Sequence, residues 1–508
     1  MPKPGLTAAL VGFAGAIAAG CAALLVGAGV VVSREMSWDL LFNLAGAWHL
    51  EHGRIAHVDF HDPVGELYFR LTQLGFWICG PNVLAFVVGD VVAAAVLFAA
   101  AAVAAVPRLP PLATMVFVLF TTLLVLMPVN VGDSPTVFTF AMSYNAYGWA
   151  AISILSLVLF VPRRRPCEGA WTDAALGALL IVAMYYLKIT YFVASLAELA
   201  AAFVACRHVR RGAWLAAAGL VVAIALAPFN WPYLADLAPV VTSPGTLMSY
   251  FATERLEDLV RANLVELSMY AVIAAAALGL WLAGRAPWRL PVSVMLMMIV
   301  GVILLASNAQ TRCIVLAATT LFVLFHQLRT DDTFRKVAPV LLLYPLWLAA
   351  TAGASVVAYR LAAADRDEHL VVDRTGLRGL AVPEGDFPIP PGEEIDQDDY
   401  INTVLEAADL LRRTPNGGQG VVLLDQVNPM AFVLGQPPRK GARLWLDVDF
   451  PWPRPEVMFA GARHVLVPRQ PTYAAVTDKA LRLYGPFMLR NFPLRTESRS
   501  WILLSRRP

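Results

Sequence analysis

The chain has 508 residues, of which 58% are hydrophobic and only 15% are charged, and its mean hydropathy is +0.62. Soluble chains average about 45–50% apolar and about 25% charged residues. The composition therefore excludes an ordinary soluble enzyme and predicts a protein with several membrane spans. The formal net charge of +2 is too small to suggest a nucleic-acid partner. The five cysteines have no paired spacing, so neither a disulfide framework nor a zinc finger is predicted.

Apolar stretches recur along the first 360 residues, and the first one lacks the cleavage site of a removed signal peptide. Hydropathy predicts about eleven spans, at residues 10–32, 83–106, 112–129, 146–161, 174–187, 189–205, 214–227, 268–284, 290–307, 313–325 and 337–358. Residues 174–205 are too long for one upright helix, and they have arginines at both ends. We therefore predict a hairpin with Lys188 at its outer tip.

Positive charge sets the predicted orientation. Arginines lie in alternate loops between the predicted spans: Arg108, Arg163, Arg164, Arg165, Arg207, Arg210, Arg211, Arg285, Arg289, Arg329 and Arg335. Such loops usually face the cytoplasm, so the N-terminus is predicted to be cytoplasmic and the chain after about residue 359 to be outside. Abundant alanine and the preference for arginine over lysine suggest a GC-rich bacterial genome. The predicted location is thus the bacterial inner membrane, with the C-terminal domain in the periplasm.

Three regions are too polar to be simple connections. Residues 33–81 contain two stretches with helical spacing, 40–50 and 66–77, and residues 230–267 contain an amphipathic stretch at 247–267. After residue 361 the apolar runs shorten to strand length. We predict strands at 421–424, 464–467 and 501–504 and helices at 398–412, 428–434 and 472–484. The sequence therefore divides into an α-helical membrane domain, 1–360, and an extracytoplasmic α/β domain, 361–508.

An acidic residue follows the first predicted span. Asp39 would lie near the membrane surface, where a carboxylate can act as a general base on a hydroxyl group of an acceptor. The alternative is structural, because aspartate is a favoured N-cap and the predicted helix 40–50 begins directly after it.

The rest of this loop carries a family resemblance. After Asp39 and an amphipathic helix come a G-x-x-x-x-x-D-F stretch, Gly53 to Phe60, and a D-P-x-G stretch, Asp62 to Gly65. This order resembles the first outer loop of the GT-C glycosyltransferases, such as protein mannosyltransferases and aminoarabinose transferases. The resemblance implies a fold of many spans with an outer soluble domain, and a polyprenyl-phosphate sugar as donor. It also implies that Asp39 is the catalytic base and that Asp59 matches the second acidic position.

Other residues suit such a substrate. Lys188 and Arg312 lie at outer ends of hydrophobic segments and are candidates for binding the donor phosphate. The polar residues predicted to line the substrate pocket are His57, Asp62, Tyr144, Asn145, Asn308 and Gln310. Tyr144 and Asn145 would suit a sugar, although an aromatic belt at the membrane surface explains them equally well.

No metal site is predicted, although a divalent cation stays open as a cofactor. Half of the 8 histidines lie in the first loop, at His49, His52, His57 and His61, without a recognised ligand spacing. The function that the sequence favours is inverting transfer of a sugar from a polyprenyl-phosphate donor to an extracytoplasmic glycan, lipid or protein. The alternatives are a transporter or flippase, a polysaccharide polymerase or ligase of the cell envelope, and a non-catalytic scaffold.

Overall fold

The computed structural model describes residues 4–165, 169–210, 212–243, 252–308, 310, 312–329, 336, 338–365, 369–374, 376–383 and 399–507. Its membrane half and first loop are helical. The helices are α1 (Pro4–Val26), α2 (Ser37–Glu51), α3 (Glu66–Cys79), α4 (Leu84–Ala105), α5 (Pro111–Leu126), α6 (Ser143–Phe160), α7 (Ala170–Leu187), α8 (Ile189–Ala205), α9 (Gly212–Ala225), α10 (Trp231–Val241), α11 (Thr253–Ala262), α12 (Leu264–Leu282), α13 (Arg289–Ser307), α14 (Leu316–Leu328) and α15 (Leu343–Ala364). Short 3₁₀ helices, Pro228–Asn230 and Ala338–Leu342, precede α10 and α15.

The polytopic helical architecture is confirmed. Within the described residues, seven helices are long and apolar enough to cross a membrane, and the bent pair Gly212–Ala225 and Pro228–Val241 makes up to eight. The apolar helices α5, α8 and α14 are shorter than this length criterion. Each of the eleven predicted apolar stretches overlaps a helix, although some of their predicted ends are not helical: the first helix ends at Val26, before the predicted end at residue 32. A count of eleven spans stays a prediction, because three of these helices are short.

Helices α7 and α8 meet at Lys188, as the charge pattern predicts. Lys188 has an extended backbone, with φ −163° and ψ 129°, between two helices that end and begin at its neighbours. The short 3₁₀ helix and the 53° bend after α9 form a second interruption. Such breaks free backbone groups from the helix ladder, and they are tolerated at membrane depth where protein or a cavity surrounds them.

Several of the flanking arginines gather at one end of the helices. Arg108 is buried and donates to Asp173 at 2.6 Å, and Arg163 pairs with the same carboxylate at 2.6 Å. Arg207 and Arg289 line one cavity with His326 at this end. Lys188, at the other terminus of α7, lies away from this basic cluster.

The C-terminal region forms a small α/β domain. It contains α16 (Tyr400–Arg412), α17 (Met430–Val433), α18 (Pro455–Met458) and α19 (Ala474–Asn491), with β5 (Val421–Leu423), β7 (His464–Pro468), β8 (Leu494–Glu497) and β9 (Trp501–Ser505). These four strands form one sheet in the order β5-β7-β9-β8, parallel between β5 and β7 and antiparallel elsewhere. The predicted strands are confirmed, and helix α19 continues seven residues beyond the predicted 472–484.

The C-terminal domain is joined to the first loop by strand pairing. β1 (Val31–Val32) pairs in parallel with β4 (Leu380–Pro383), which also pairs with β3 (His369–Val372). β2 (Phe60–His61) pairs in parallel with β6 (Ala442–Arg443). These contacts require the first loop and the C-terminal domain to lie on the same side of any membrane that the helices cross. Residues 247–251 of the predicted amphipathic stretch lie outside the described residues.

Candidate functional site

A cavity of about 340 Å³ lies where the first loop, the ends of several apolar helices and the C-terminal domain meet. Its walls come from distant parts of the chain: Asp39, Phe42, Pro63, Val64, Tyr68, Met142, Tyr144, Lys188, Ile189, Thr190, Leu237, Val240, Val241, Arg255, Ser307, Asn308, Trp445, Asp447, Asp449 and Phe450. This volume lies within the roughly 300–1,000 Å³ that small-molecule sites usually have. A larger groove elsewhere in the C-terminal domain contains none of these residues.

Asp39 is the buried acid of this cavity. Only 7% of its surface is exposed, and its carboxylate accepts a hydrogen bond from the backbone N–H of Met142. Its Oδ1 is buried and has no hydrogen-bond partner among the described residues. A buried, unsatisfied carboxylate oxygen is costly unless a ligand or water completes it. Asp39 therefore has a free acceptor for a substrate hydroxyl.

The structure contradicts the capping alternative for Asp39. Helix α2 begins at Ser37, its N-cap position is Met36, and no side chain caps it. Asp39 is the third residue of the helix, in its first turn, where a negative charge is favourable to the helix dipole, and its side chain accepts a hydrogen bond from the Met142 N–H. Met36 and Met142 both have left-handed backbones, with φ 50° each. Strained non-glycine residues of this kind often occur at functional sites.

Asn43 holds α2 against α3. Its side-chain amide donates to the Tyr68 carbonyl at 3.1 Å and accepts from the Thr72 hydroxyl at 2.5 Å. Asn43 and Thr72 are buried, and Phe42 and Phe69 pack edge to face beside them. This packing fixes the turn of α2 that carries Asp39.

Lys188 is the cation facing Asp39. Its ammonium nitrogen lies 4.4 Å from the centre of the Tyr144 ring, a cation–π contact. Burial lowers the pKa of Lys188 to about 7, although the Asp39 carboxylate opposes this shift. Burial likewise raises the pKa of Asp39 to about 7, against the effects of the Met142 N–H and of Lys188. Each charge thus stabilises the other in a poorly solvated chamber.

The D-P-x-G stretch packs directly on the break that carries Lys188. The Gly65 N–H donates to the Leu187 carbonyl at 2.9 Å. A Cβ added at Gly65 would overlap the carbonyl oxygen of Tyr186. Only glycine therefore allows this approach, which brings the first loop and the α7–α8 tip to one chamber.

Polar groups around the pair are only partly satisfied. Thr190 donates its hydroxyl to the Asn308 side-chain oxygen at 2.9 Å, but the Asn308 amide nitrogen has no partner among the described residues. The buried Tyr68 hydroxyl also has none within that part of the chain. These groups can bind the hydroxyls or phosphate oxygens of a ligand. Arg255, on α11, adds a second cation to the wall and donates to the Ala306 carbonyl at 3.2 Å.

The C-terminal domain supplies one wall of the cavity. Trp445 packs edge to face on Phe42, with ring centres 5.3 Å apart. Lys479 organises the loop that follows: its ammonium donates to the carbonyls of Val448 at 2.7 Å and Phe450 at 3.2 Å. Sequence reasoning missed this wall, although the cluster of tryptophans and acids at 445–452 was a visible signal.

A cluster of histidine and aspartate side chains adjoins the segment of the first loop that contains Pro63 and Val64. Asp236, on α10, accepts from the Nδ1 atoms of His57 at 2.8 Å and His61 at 2.7 Å. Burial lowers the pKa of His57, but the neighbouring carboxylates of Asp62 and Asp236 outweigh this and raise it overall. Burial raises the pKa of Asp62 to about 7. The cluster fastens α10 to the first loop, and Asp236 was not singled out from the sequence.

The cavity brings together four of the ten predicted site residues: Asp39, Lys188, Tyr144 and Asn308. The other six line none of its walls: Asp59, Arg312, His57, Asp62, Asn145 and Gln310.

Two of these six are charged residues near the protein surface. Asp59 bonds to the Ile55 N–H at 3.2 Å and pairs with the exposed Lys440 at 3.1 Å. Arg312 is exposed, and its charge acts on Asp133. Arg255, and not the predicted Arg312, lines the wall of the cavity.

The two amides lie in the core. Gln310 accepts from the Trp149 indole at 2.9 Å and donates to the Val131 carbonyl at 3.0 Å, which is a structural role. Asn145 is fully buried at the start of α6, and its side-chain amide has no partner among the described residues.

No group of three or more histidine, cysteine or carboxylate side chains within the described ranges has the arrangement of a metal site. His49 packs on the Phe60 ring at 4.7 Å, and His52 bonds to the Trp48 carbonyl at 3.0 Å. The described histidines of the first loop thus have structural contacts.

Comparison of the sequence with known proteins identified no relative: no family model matches the chain, and no curated protein matches it.

Proposed function

We propose that this protein is a membrane glycosyltransferase of the GT-C type, which moves a sugar from a polyprenyl-phosphate donor to an acceptor on the periplasmic side of a bacterial inner membrane. The observation that carries the proposal is the buried pair of Asp39 and Lys188 in one cavity at the ends of apolar helices. A carboxylate with a free oxygen and an ammonium group are the two charges that glycosyl transfer from a phosphate requires.

The proposed reaction is a single displacement. Asp39 takes the proton of an acceptor hydroxyl while that oxygen attacks the anomeric carbon of the donor sugar. The bond from that carbon to the phosphate oxygen breaks, and its electron pair leaves with the polyprenyl phosphate. Lys188 neutralises the charge that grows on the leaving phosphate, with Arg255 nearby. Attack opposite the leaving group inverts the anomeric centre.

The position of the cavity suits a lipid-borne donor. Its walls include apolar residues of the first loop and of α10 beside the polar pair: Phe42, Val64, Leu237, Val240 and Val241. A polyprenyl chain lies among apolar helices, so its phosphate would be at the depth where those helices end. The arginine cluster lies at the opposite end of the helices, and loops rich in arginine usually face the cytoplasm. The cavity would therefore open on the periplasmic side.

A transporter or flippase is the second candidate, favoured by the 53° bend between Gly212–Ala225 and Pro228–Val241. Broken helices line the substrate sites of many transporters. The buried acids Asp90 and Glu198, however, accept hydrogen bonds from Tyr147 and Ser156 and do not line the cavity.

The decisive assay uses the purified full-length protein in detergent with radiolabelled polyprenyl-phosphate sugars and a cell-envelope extract as acceptor. We expect the label to move to the acceptor and free polyprenyl phosphate to appear in equal amount. A transporter would instead move the intact donor across proteoliposomes without releasing polyprenyl phosphate, and that result would contradict the proposal.

We expect the transfer rate to depend on pH as a narrow bell centred near neutrality. Asp39 must be ionised, which requires a pH above its pKa of about 7, and Lys188 must be protonated, which requires a pH below its pKa of about 7. Because the two charges interact, the apparent pKa values of the acid and alkaline limbs of this pH profile belong to the pair and not to either residue alone. The measurement is kcat/KM across the range in which the protein stays folded. A rate that is constant through neutrality would contradict these roles.

A further inference from the structure

A broad groove lies in the C-terminal domain where α16 stops covering the sheet. The Trp501 indole on β9 donates to the Thr403 carbonyl at 2.7 Å and so holds α16 against that strand. Strand β8 forms the edge of the sheet, and all four of its residues are exposed. The open space between α16 and the outer strands measures about 1520 Å³.

Positive charge dominates the groove. Five arginines line it: Arg374, Arg413, Arg463, Arg506 and Arg507. Arg374 pairs with Asp409 at 2.7 Å. The other four are exposed, and in the described part of the chain none of them forms an ion pair.

The acids of the groove already have partners. Glu406 accepts from the Ser500 hydroxyl at 2.7 Å and from its backbone N–H at 3.0 Å. Glu497 pairs with Arg495 at 2.7 Å, and Asp409 is the partner of the one paired groove arginine. The guanidinium group of Arg506 lies 5.0 Å from the centre of the Phe492 ring, a cation–π contact that leaves its charge without an anionic partner. All four groups can therefore pair with an external anion.

A buried histidine adds a neutral polar group. His464 is 4% exposed, and its Nδ1 lies 2.8 Å from the Ser505 hydroxyl. Its Nε2 has no hydrogen-bond partner among the described residues, although the residue lines the groove. Burial and the neighbouring Arg463 lower the pKa of His464, so the ring is neutral at pH 7. The free ring nitrogen offers one directed hydrogen bond.

The lining indicates the class of ligand. Among the described lining residues there is no phenylalanine, tyrosine or tryptophan, so the groove lacks the aromatic rings that stack on neutral sugars. Guanidinium groups match carboxylates and phosphates in pairs of parallel hydrogen bonds. The volume exceeds the roughly 300–1,000 Å³ of ordinary small-molecule sites, which favours an extended ligand. We propose that this groove binds an extended anionic ligand through carboxylate or phosphate groups along its chain, and, resting on the proposed glycosyltransferase function, that this ligand is an anionic oligosaccharide.

Direct binding of a fluorescent galacturonic acid decamer to the purified full-length protein tests the proposal. We expect binding that weakens as salt is raised, and no comparable binding of neutral maltodecaose. Reversing two groove charges together, Arg413→Glu and Arg506→Glu, is expected to weaken decamer binding by about tenfold or more, a change of about 1.4 kcal/mol.

The matched control reverses two arginines on the other face of the sheet. Arg482 and Arg490 are exposed on α19, and Arg482→Glu with Arg490→Glu changes the net charge by the same amount. We expect this control to retain most of its affinity. Equal loss in both double variants, or equal binding of maltodecaose, would overturn the proposal.

If the charge-reversed variant does not fold, the double variant Arg413→Gln and Arg506→Gln takes its place. Wild-type affinity of this variant for the decamer would also overturn the proposal. The assay involves no sugar transfer, so its result is independent of the chemistry at Asp39.

Discussion

Replacing Asp39 by asparagine is expected to reduce the rate of sugar transfer by about 10²–10⁴-fold, the usual contribution of a general base. Asparagine keeps the size of the side chain and can still accept the Met142 N–H, but it cannot take a proton. The change leaves Lys188 buried without its carboxylate partner, but burial already lowers the pKa of Lys188 to about 7, so that it can lose its proton, and we expect only a small change in the stability of the fold. The measurement is kcat/KM at neutral pH together with the thermal unfolding temperature.

Asp59→Asn is the matched control for this experiment. Asp59 lies in the same loop but pairs with Lys440 and lines no wall of the cavity. We expect Asp59→Asn to change the rate less than about threefold, since pairs with an exposed lysine contribute about 0–1 kcal/mol. Near-normal transfer by a well-folded Asp39→Asn variant would remove Asp39 from catalysis. Equal losses in both variants would point to a general effect of loop acidity.

Patterns of consecutive residues predicted those parts of the site that depend on helix length and on the position of charges along the chain. The hydropathy pattern and the flanking arginines placed Lys188 at the tip between α7 and α8. The position of Asp39 after the first apolar stretch placed it near the same surface, and the structure places both in one cavity. These predictions held because helix lengths and loop charges are properties of consecutive residues.

Contacts between distant residues were not predictable from one sequence. Trp445 reaches Phe42 across about 400 residues of chain, and the strand pairings that bring it there involve strands of two residues, too short to give a periodic signal. Arg312 and Arg255 illustrate the same limit. Both lie near the ends of apolar helices, but Arg255 is on the short amphipathic helix α11, and the direction of that helix brings it to the cavity wall.

The arrangement also suggests why a soluble domain is attached to this membrane fold. The cavity that holds Asp39 and Lys188 is closed on one side by the loop around Trp445 and Asp447. Lys479 stiffens this loop through two backbone carbonyls and a cation–π contact to Trp452, 5.1 Å from the ring centre. In the proposed enzyme, this wall excludes water from the reacting centre and is positioned to contact the acceptor.

Lys188→Met is expected to lower the transfer rate by about 10²–10³-fold, similar to the loss of one group that stabilises transition-state charge. Methionine matches lysine in length but supplies no charge for the departing phosphate. Because Lys188 holds the pKa of Asp39 down, its removal should also move the acid limb of the pH profile to higher pH and abolish the alkaline limb. The pH dependence of kcat/KM measures both effects.

Two comparisons separate this role of Lys188 from simple packing. Lys188→Arg keeps a positive charge that does not titrate near neutrality, so it should retain more activity than Lys188→Met and also lack the alkaline limb. Arg312→Met removes an exposed charge outside the cavity and should leave the position of both limbs unchanged. If Lys188→Met lost activity while the acid limb stayed where it is in the wild-type protein, Lys188 would act by packing against Tyr144, and the phosphate would need another cation, for which Arg255 is the residue in place.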